Sequence, residues 1–543
     1  MKAKIINLLE KSIKSMGISD VNIYIETPKN SKNGDFSTNI AMQLTKILRK
    51  NPKLIAKEII DNLEKSNIFE KIEIAGPGFI NFFVKKSSLA DVLEEVFSKK
   101  ENYGENNIGN GEKILLEYVS ANPTGDLHVG HARNAAVADS LVRIMKRSGY
   151  NVTREFYVND AGNQINNLTL SADARYKQAL GIKVNMPEDG YNGKDIVLLG
   201  EILKKEYGKS LLEKDKSEYM KFLREYSVKY QLEKIKKDLK DFRVEFDNFY
   251  SETSLYESKK IDLTLETLEK SGYIYKKDNA TWLKTTALST GDDKDRVLIK
   301  ADGNYTYFTP DIAYHKDKFD RGYDKLINLF GADHHGYVAR IKASMEAVGY
   351  NPDNLEILIM QLVRLLENGT EVKMSKRTGK SITIRDLINE VGVDASRYFL
   401  VMRSYDTHLD FDFTLAKEKS SENPLYYVQY AHARICSILS QVKDIDVLSY
   451  NKELLTDEYS VELLKHIAYF KEVLKQVSKK RQPHRLCNYM QNLATAFHKF
   501  YGNNKVITDN EEQTKAYLAL ITAVKITIKN ALNLIAVDAP EKM

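Results

Sequence analysis

Residues 113–149 constrain the fold more than any other stretch. "KILLEYVSA" (Lys113 to Ala121) is aliphatic and β-branched, and reads as a buried strand. "NPTGD" (Asn122 to Asp126) is loop chemistry, because Pro123 and Gly125 break regular structure. "HARNAAVADSLVRIMKRSGY" then carries Ala135, Ala138, Leu141, Val142 and Met145 at helical spacing, with Gly149 as a stop. A strand, a short loop and a helix in this order open an α/β unit.

His128 and His131 sit where the strand hands over to the helix. A helix N-terminus offers unpaired N–H groups and a partial positive charge, which suit phosphates. Gly130 has no side chain, so a flat ring can approach the backbone closely. A metal site is a second reading, since histidine is a common zinc ligand. Cys436 and Cys487 lie far away, however, and no Cys/His cluster completes a ligand set, so no protein-bound metal is expected. A third reading, two histidines that merely cap a helix, stays open on this stretch alone.

The chain has 543 residues, enough for about three or four domains. A hydrophobic share of 43% and a charged share of 29% describe an ordinary globular chain with ample core. The net charge of +6 permits a nucleic-acid partner without establishing one. "MKAKIINLLEKSIKSMG" reads as an amphipathic helix and not a secretory signal, and no run of about eighteen apolar residues would span a membrane. Two cysteines imply a reducing compartment without a disulfide framework.

Residues 1–108 read as a first α+β unit, with helical "NIAMQLTKILRK" and "PKLIAKEIIDNLEKS" before strand-like "KIEIAGPGFINFFV". The polar loop "SKKENYGENNIGNGEK" marks its end. Residues 109–413 form the α/β unit, interrupted at about 165–240 by a charged helical stretch whose alternating signs mean solvated faces. Residues 414–543 read as all-helical.

A second feature lies far downstream. "ENGTEVKMSKRTGKSITIRDLI" crowds Lys373, Lys376, Arg377 and Lys380 into a loop that also holds Ser375 and Gly379. Alone, such a loop is usually a solvated surface. H-x-G-H after the first strand of an α/β unit, followed by K-M-S-K, resembles the double signature of class I aminoacyl-tRNA synthetases. That resemblance implies a Rossmann-type parallel sheet and ATP, with Mg2+, as a substrate. It implies that His128 and His131 contact the phosphates. Gly130 would lie beneath adenine, and Lys373 and Lys376, with Ser375 between them, would neutralise the departing pyrophosphate. In "NLFGADHHG", Gly331 and Asp333 match a segment that holds the nucleotide ribose.

Further stretches narrow the resemblance to the arginyl-tRNA synthetases of bacterial type, over essentially the whole chain. They are "NGDFSTNIAMQL", "AGPGFINF", "LLEYVSANPTGDLHVGHARNA", "DFRVEFDNFYSETSLY", "DRVLIKADGNYTYFTPDIAYHKDK", "GADHHGYVARI", "NPLYYVQYAHARICSI" and the closing "APEKM". The family implies an arginine–tRNA ligase that forms arginyl-adenylate and passes it to tRNA(Arg). Glu117 and Asp311 would hold the guanidinium, Tyr307 would pack beside it, and Asn122 would orient the amino and carboxylate ends. His334 is a further candidate in this pocket. A guanidinium is planar, permanently charged and suited to paired carboxylates. The loop departs from the usual K-M-S-K-S by ending in arginine, but both lysines are present.

The first unit resembles the family domain that touches the outer corner of tRNA, with Phe36 and Asn39 in its most recognisable stretch. The C-terminal helices would read the anticodon, where splayed bases stack on aromatic rings. Tyr426, Tyr427, Tyr430 and Tyr501 are candidates, although aromatics at helical spacing are more often core. "KQVSKKRQPHR" (Lys475 to Arg485) is a basic run suited to phosphates. The family implies a cytoplasmic monomer with no membrane partner. Another class I synthetase, an H-x-G-H nucleotidyltransferase and a non-catalytic tRNA-binding paralogue are the alternatives. A paralogue would be expected to lose the histidines or lysines, and a small nucleotidyltransferase would lack the terminal units.

Overall fold

The computed structural model describes residues 1–28, 30–64, 66, 68–372, 381–442 and 446–543. Its centre is a five-stranded sheet whose neighbours all run parallel. The strands are β1 (Lys113–Glu117), β2 (Asn151–Val158), β3 (Asn248–Ser251), β4 (Lys325–Gly331) and β5 (Leu355–Met360), in the spatial order β5-β4-β1-β2-β3. The last four residues of β1 are buried, as a strand covered on both faces requires. The chain builds outward from β1 through β2 and β3, then returns to its other side for β4. The gap between β1 and β4 is therefore a topological switch point, where open α/β sheets bind ligands at the carboxyl ends of their strands.

β1 is shorter than its aliphatic run suggests. It stops at Glu117, and Val119 and Ser120 follow with φ of 66° and 42°. Left-handed backbone is unusual for a β-branched residue and costs of order 1–3 kcal/mol. Hydrogen bonds to the neighbouring elements hold it. Val119 N donates to Asn134 Oδ1 at 2.8 Å, and Tyr157 N donates to Ser120 Oγ at 3.1 Å. Propensity favoured continued strand, and these tertiary bonds override it.

Helix α1 (Val129–Arg147) follows the loop, buries Ala135, Ala138, Leu141, Val142 and Met145, and stops before Gly149 at φ 84°. Between β2 and β3 lies an insertion of three helices, α2 (Asn163–Ala179), α3 (Lys194–Tyr207) and α4 (Lys216–Asp241). The insertion has a small core of its own around Tyr176, Leu203, Tyr219 and Leu223. Before β4 a three-stranded antiparallel sheet leads into α5 (Phe308–Asp320). After the basic loop comes α6 (Ile384–Val401), whose N-cap Thr383 and Asp386 form a capping box.

The last part is helical: α7 (Pro424–Ser440), α8 (Glu458–Lys480), α9 (His484–Asn503) and α10 (Glu511–Leu534). Asn423, Asp457 and Asn510 cap three of them with side-chain oxygens, and Pro424 supplies the first helical residue of α7. The N-terminal part has a separate core, including Ile5, Leu9, Ile55, Ile59 and Phe82, under a three-stranded antiparallel sheet. "NIAMQLTKILRK" is not one helix there but two short turns, Ile40–Gln43 and Thr45–Leu48. The helix Asp91–Lys99 and the turn after it lie on the C-terminal helices. Tyr103 donates to Ile467 O at 2.8 Å and Asn530 to Lys100 O at 2.8 Å.

Candidate active site

α1 begins with two stacked imidazoles, their centroids 3.8 Å apart. His128 is the N-cap, and its Nδ1 accepts from Gly130 N at 3.1 Å. His131 Nδ1 accepts from His128 N at 3.3 Å, which closes a reciprocal cap. A ring whose Nδ1 accepts carries its proton on Nε2 when neutral. Burial lowers the pKa of both rings; with His128 beside it, His131 is pushed down to about 3. Capping thus occupies one nitrogen of each ring and leaves each an Nε2–H donor. A Cβ at Gly130 would lie 2.9 Å from His128 Cε1, so this stack needs glycine there.

Lys373, Ser375 and Lys376 lie outside the described residues, but the chain just beyond their loop is in place. Val129 N donates to Ile382 O at 3.0 Å, and Ile384 N donates to Leu127 O at 2.8 Å. His128 and Thr383 form an antiparallel bridge. The histidine turn and the end of the basic loop are therefore tied backbone to backbone, although His128 and Thr383 are 255 residues apart in sequence.

Gly331 closes β4 at the same sheet end, and Asn134 of α1 donates to Leu329 O at 3.1 Å. A Cβ at Gly331 would lie 2.6 Å from Asp333 Oδ1, so glycine gives that carboxylate its room. Asp333 is exposed, with His334 Nε2 3.4 Å from it.

Next to this edge two carboxylates belong to one polar wall of hydrogen-bonded side chains. Glu117, at the end of β1, is buried, bonded to the ammonium of Lys318 at 2.5 Å and accepting from Ser120 Oγ at 2.9 Å. Asp311 lies in the first turn of α5 and accepts from the Tyr337 hydroxyl. Burial opposes its charge, but the His315 ring, the Tyr337 hydroxyl and the Lys318 ammonium hold the carboxyl below its ordinary range. Tyr307 is 71% exposed, and its hydroxyl accepts from Arg340 at 2.8 Å. Asn122 donates to Gln164 at 2.7 Å, which links the loop to the insertion. Lys318, His315, Asn328, Tyr337 and Arg340 belong to this wall and were missed from sequence. The i, i+4, i+7 spacing of Asp311, His315 and Lys318 was the available signal.

The four C-terminal tyrosines are on or near the surface. Tyr426 and Tyr430 stack at 6.0 Å, and Tyr427 lies 4.6 Å from the His498 ring. The Arg434 guanidinium sits 4.7 Å from the Tyr430 ring and 4.8 Å from that of the exposed Tyr501. Arg481, in the basic run, is buried and paired with Glu356 at 3.2 Å, so it is not available to phosphate. Phe36 packs between the N-terminal core and the main core, and Asn39 starts a helical turn while accepting from Gln43 at 2.9 Å.

Comparison with known proteins matches three stretches of the chain to three family domains. Residues 3–84 match the arginyl tRNA synthetase N-terminal domain, 92–408 the catalytic domain of class I (R) tRNA synthetases, and 428–543 the DALR anticodon binding domain. An arginine–tRNA ligase of Bacillus subtilis is 55% identical over 96% of this chain and 94% of its own length. A solved structure of a putative arginyl-tRNA synthetase from Campylobacter jejuni is 37% identical, with a TM-score of 0.78, over 85% of this chain and all of the other. The Thermus thermophilus arginyl-tRNA synthetase shares the fold over both whole chains, at a TM-score of 0.77 and 21% identity.

Proposed function

The chain belongs to the arginyl-tRNA synthetase family, and on that premise we propose an arginine–tRNA ligase working at the β1/β4 sheet end. The arginine carboxylate attacks the α-phosphorus of ATP, which enters with Mg2+, and pyrophosphate leaves. A hydroxyl at the 3′ end of tRNA(Arg) then attacks the adenylate carbonyl, and AMP leaves. The enzyme's task is to place the reactants and to stabilise charge on the phosphorus and the leaving group. His128 and His131 offer Nε2–H donors to the phosphates. Lys373 and Lys376 bring positive charge to the pyrophosphate, with Ser375 between them. Gly130 admits the adenine, and Gly331 and Asp333 take the ribose. Glu117 and Asp311 grip the guanidinium, with Tyr307 against its plane. Asn122 orients the reacting end, and His334 closes the pocket rim.

The observation that carries this reading is the backbone pairing of Leu127 and Val129 with Ile382 and Ile384. It supports a basic loop that ends beside the histidines. We assign Tyr426, Tyr427, Tyr430 and Tyr501 to the anticodon face, with Arg434 holding two of the rings. Phe36 and Asn39 go to the outer corner of the tRNA. The functional division is 1–108, 109–413 and 414–543, and the protein acts as a cytoplasmic monomer.

Steady-state charging with each of the twenty amino acids tests the substrate. The pocket is tested by Asp311→Asn, which keeps size and removes a negative charge. It is expected to raise the arginine KM steeply, by roughly 10² or more for a buried charge-paired contact, with little change for ATP. A raised ATP KM with arginine untouched would move Asp311 into the nucleotide site.

A further inference from the structure

Beside the apolar residues Phe308, Ile312 and Phe319, which pack with Leu115 and Leu326, α5 turns a polar stripe toward the sheet. Asp311, His315 and Lys318 share one helical face. Lys318 is 0% exposed, His315 1%, and Asn328 on β4 0%. A lysine ammonium only donates. Here it donates to Glu117 at 2.5 Å and to Asn328 Oδ1 at 3.1 Å, over the Tyr314 ring at 4.1 Å.

The remaining bonds follow in sequence. Because Asn328 Oδ1 faces the lysine, its amide nitrogen faces His315 Nε2, 2.7 Å away. An amide nitrogen donates, so Nε2 accepts and the ring proton sits on Nδ1. Nδ1 in turn lies 2.9 Å from Asp311 O and 3.0 Å from its carboxylate. One lysine thereby fixes the direction of every bond from Glu117 to Asp311. Glu117 and Asp311 are thus joined through one buried ammonium, one amide and one ring. The neighbouring Glu155 is held separately by Arg321, with bonds of 2.6 and 2.9 Å.

We propose that Lys318, Asn328 and His315 are positioning residues for arginine. They aim Glu117 and Asp311 by holding the two carboxylates in one directed chain of hydrogen bonds. Without the lysine Glu117 loses its buried donor, and nothing turns the Asn328 amide nitrogen toward His315, so neither carboxylate is held in place. The proposal rests on the reading of Glu117 and Asp311 as the guanidinium partners.

The test is a double-mutant cycle on the full chain: Glu117→Gln, Lys318→Met and the pair together. Arginine and ATP are varied separately in tRNA charging, and arginine binding is measured by calorimetry. Glu117→Gln is expected to raise the arginine KM. Lys318→Met is expected to raise it roughly 10- to 100-fold, as for directly coupled buried groups, with the ATP KM unmoved. The double variant is expected to be no worse than the worse single, since the lysine acts through the carboxylate. Losses that multiply would overturn the proposal while leaving the pocket standing. An unchanged arginine KM in Glu117→Gln would remove the pocket itself, and the proposal with it. Should Lys318→Met fail to fold, His315→Leu and His315→Asn replace it. Leucine is expected to weaken arginine several-fold by loss of a charge-assisted bond. Asparagine, whose amide nitrogen can stand in for Nδ1–H, is expected to restore it. Equal losses in the two would also overturn the proposal.

Discussion

His131 shows how much chemistry one side chain can hold. Its Nδ1 closes the cap of α1, and its Nε2 takes no part in that cap. Sequence alone posed capping and phosphate binding as alternatives, but capping uses only Nδ1 of each ring, so the two do not compete. The burial that keeps the ring neutral also has a thermodynamic consequence. A histidine whose folded pKa is depressed to about 3 binds fewer protons folded than unfolded between that value and the ordinary 6.5. Its contribution is fully present above about pH 6.5 and is lost progressively as pH falls toward the folded value. The melting temperature of the wild type should therefore drop on acidification from pH 7 to 5 more than that of His131→Asn, which has no proton to take up. Parallel melting curves for the two across this range would place the ring in water. Lys318 is the opposite lesson. A single sequence presents it as one more charge in "AYHKDKFDR", and only the sheet packed over α5 makes it a buried partner of Glu117.

At the level of elements, the strand–loop–helix unit and the helical C-terminal region were legible, because their periodicities are long and their caps strong. The end of β1 was not, since nothing local in "EYVSA" announces left-handed backbone at Val119, which Asn134 and its neighbours impose. The contact between the segment after the basic loop and the histidine turn was equally invisible, being a pairing of distant backbone. It can be tested with little damage to the helix. Ile384 is the first residue of α6, where proline is tolerated, and Thr383 before it is already extended. Ile384→Pro removes the N–H that reaches Leu127 O, while Ile384→Ala removes a similar amount of buried side chain and keeps that N–H. The proline variant is expected to charge tRNA up to about tenfold more slowly than the alanine variant, the scale of one net hydrogen bond, at a similar melting temperature. Equal rates would mean that the bridge does not help to place the loop.

The cores of the molecule are not divided where its functions are. One continuous apolar cluster runs from Leu89, Val96 and Tyr103 through α1, β1 and β2 into α6 and all four C-terminal helices. Buried Arg397 of α6 stitches it together, paired with Asp139 of α1 at 2.6 Å and donating to Ile535 O at 2.8 Å and Phe242 O at 3.0 Å. The N-terminal residues keep their own core. They meet the rest through Val84 and Phe36, which pack on the main cluster, and through polar contacts such as Lys465 with Asp35 at 2.7 Å and Lys4 with Asp91 at 2.8 Å. Two truncations should consequently behave differently. Removing residues 1–84 takes away a core of its own and uncovers the main one only where Met1, Phe36 and Val84 touch it. That protein is expected to stay folded, to bind arginine, and to charge tRNA with a raised tRNA KM. Removing everything after residue 413 strips α7 to α10 from a shared core and lays bare a contiguous apolar face, far larger than soluble monomers tolerate. The product is expected to aggregate, not to survive as a catalytic fragment without anticodon recognition. Calorimetry of the full chain should agree, with the sheet and the C-terminal helices melting in one transition and the N-terminal part free to melt in another. A soluble, arginine-binding fragment ending at 413 would show that the shared core is an interface between independently stable bodies.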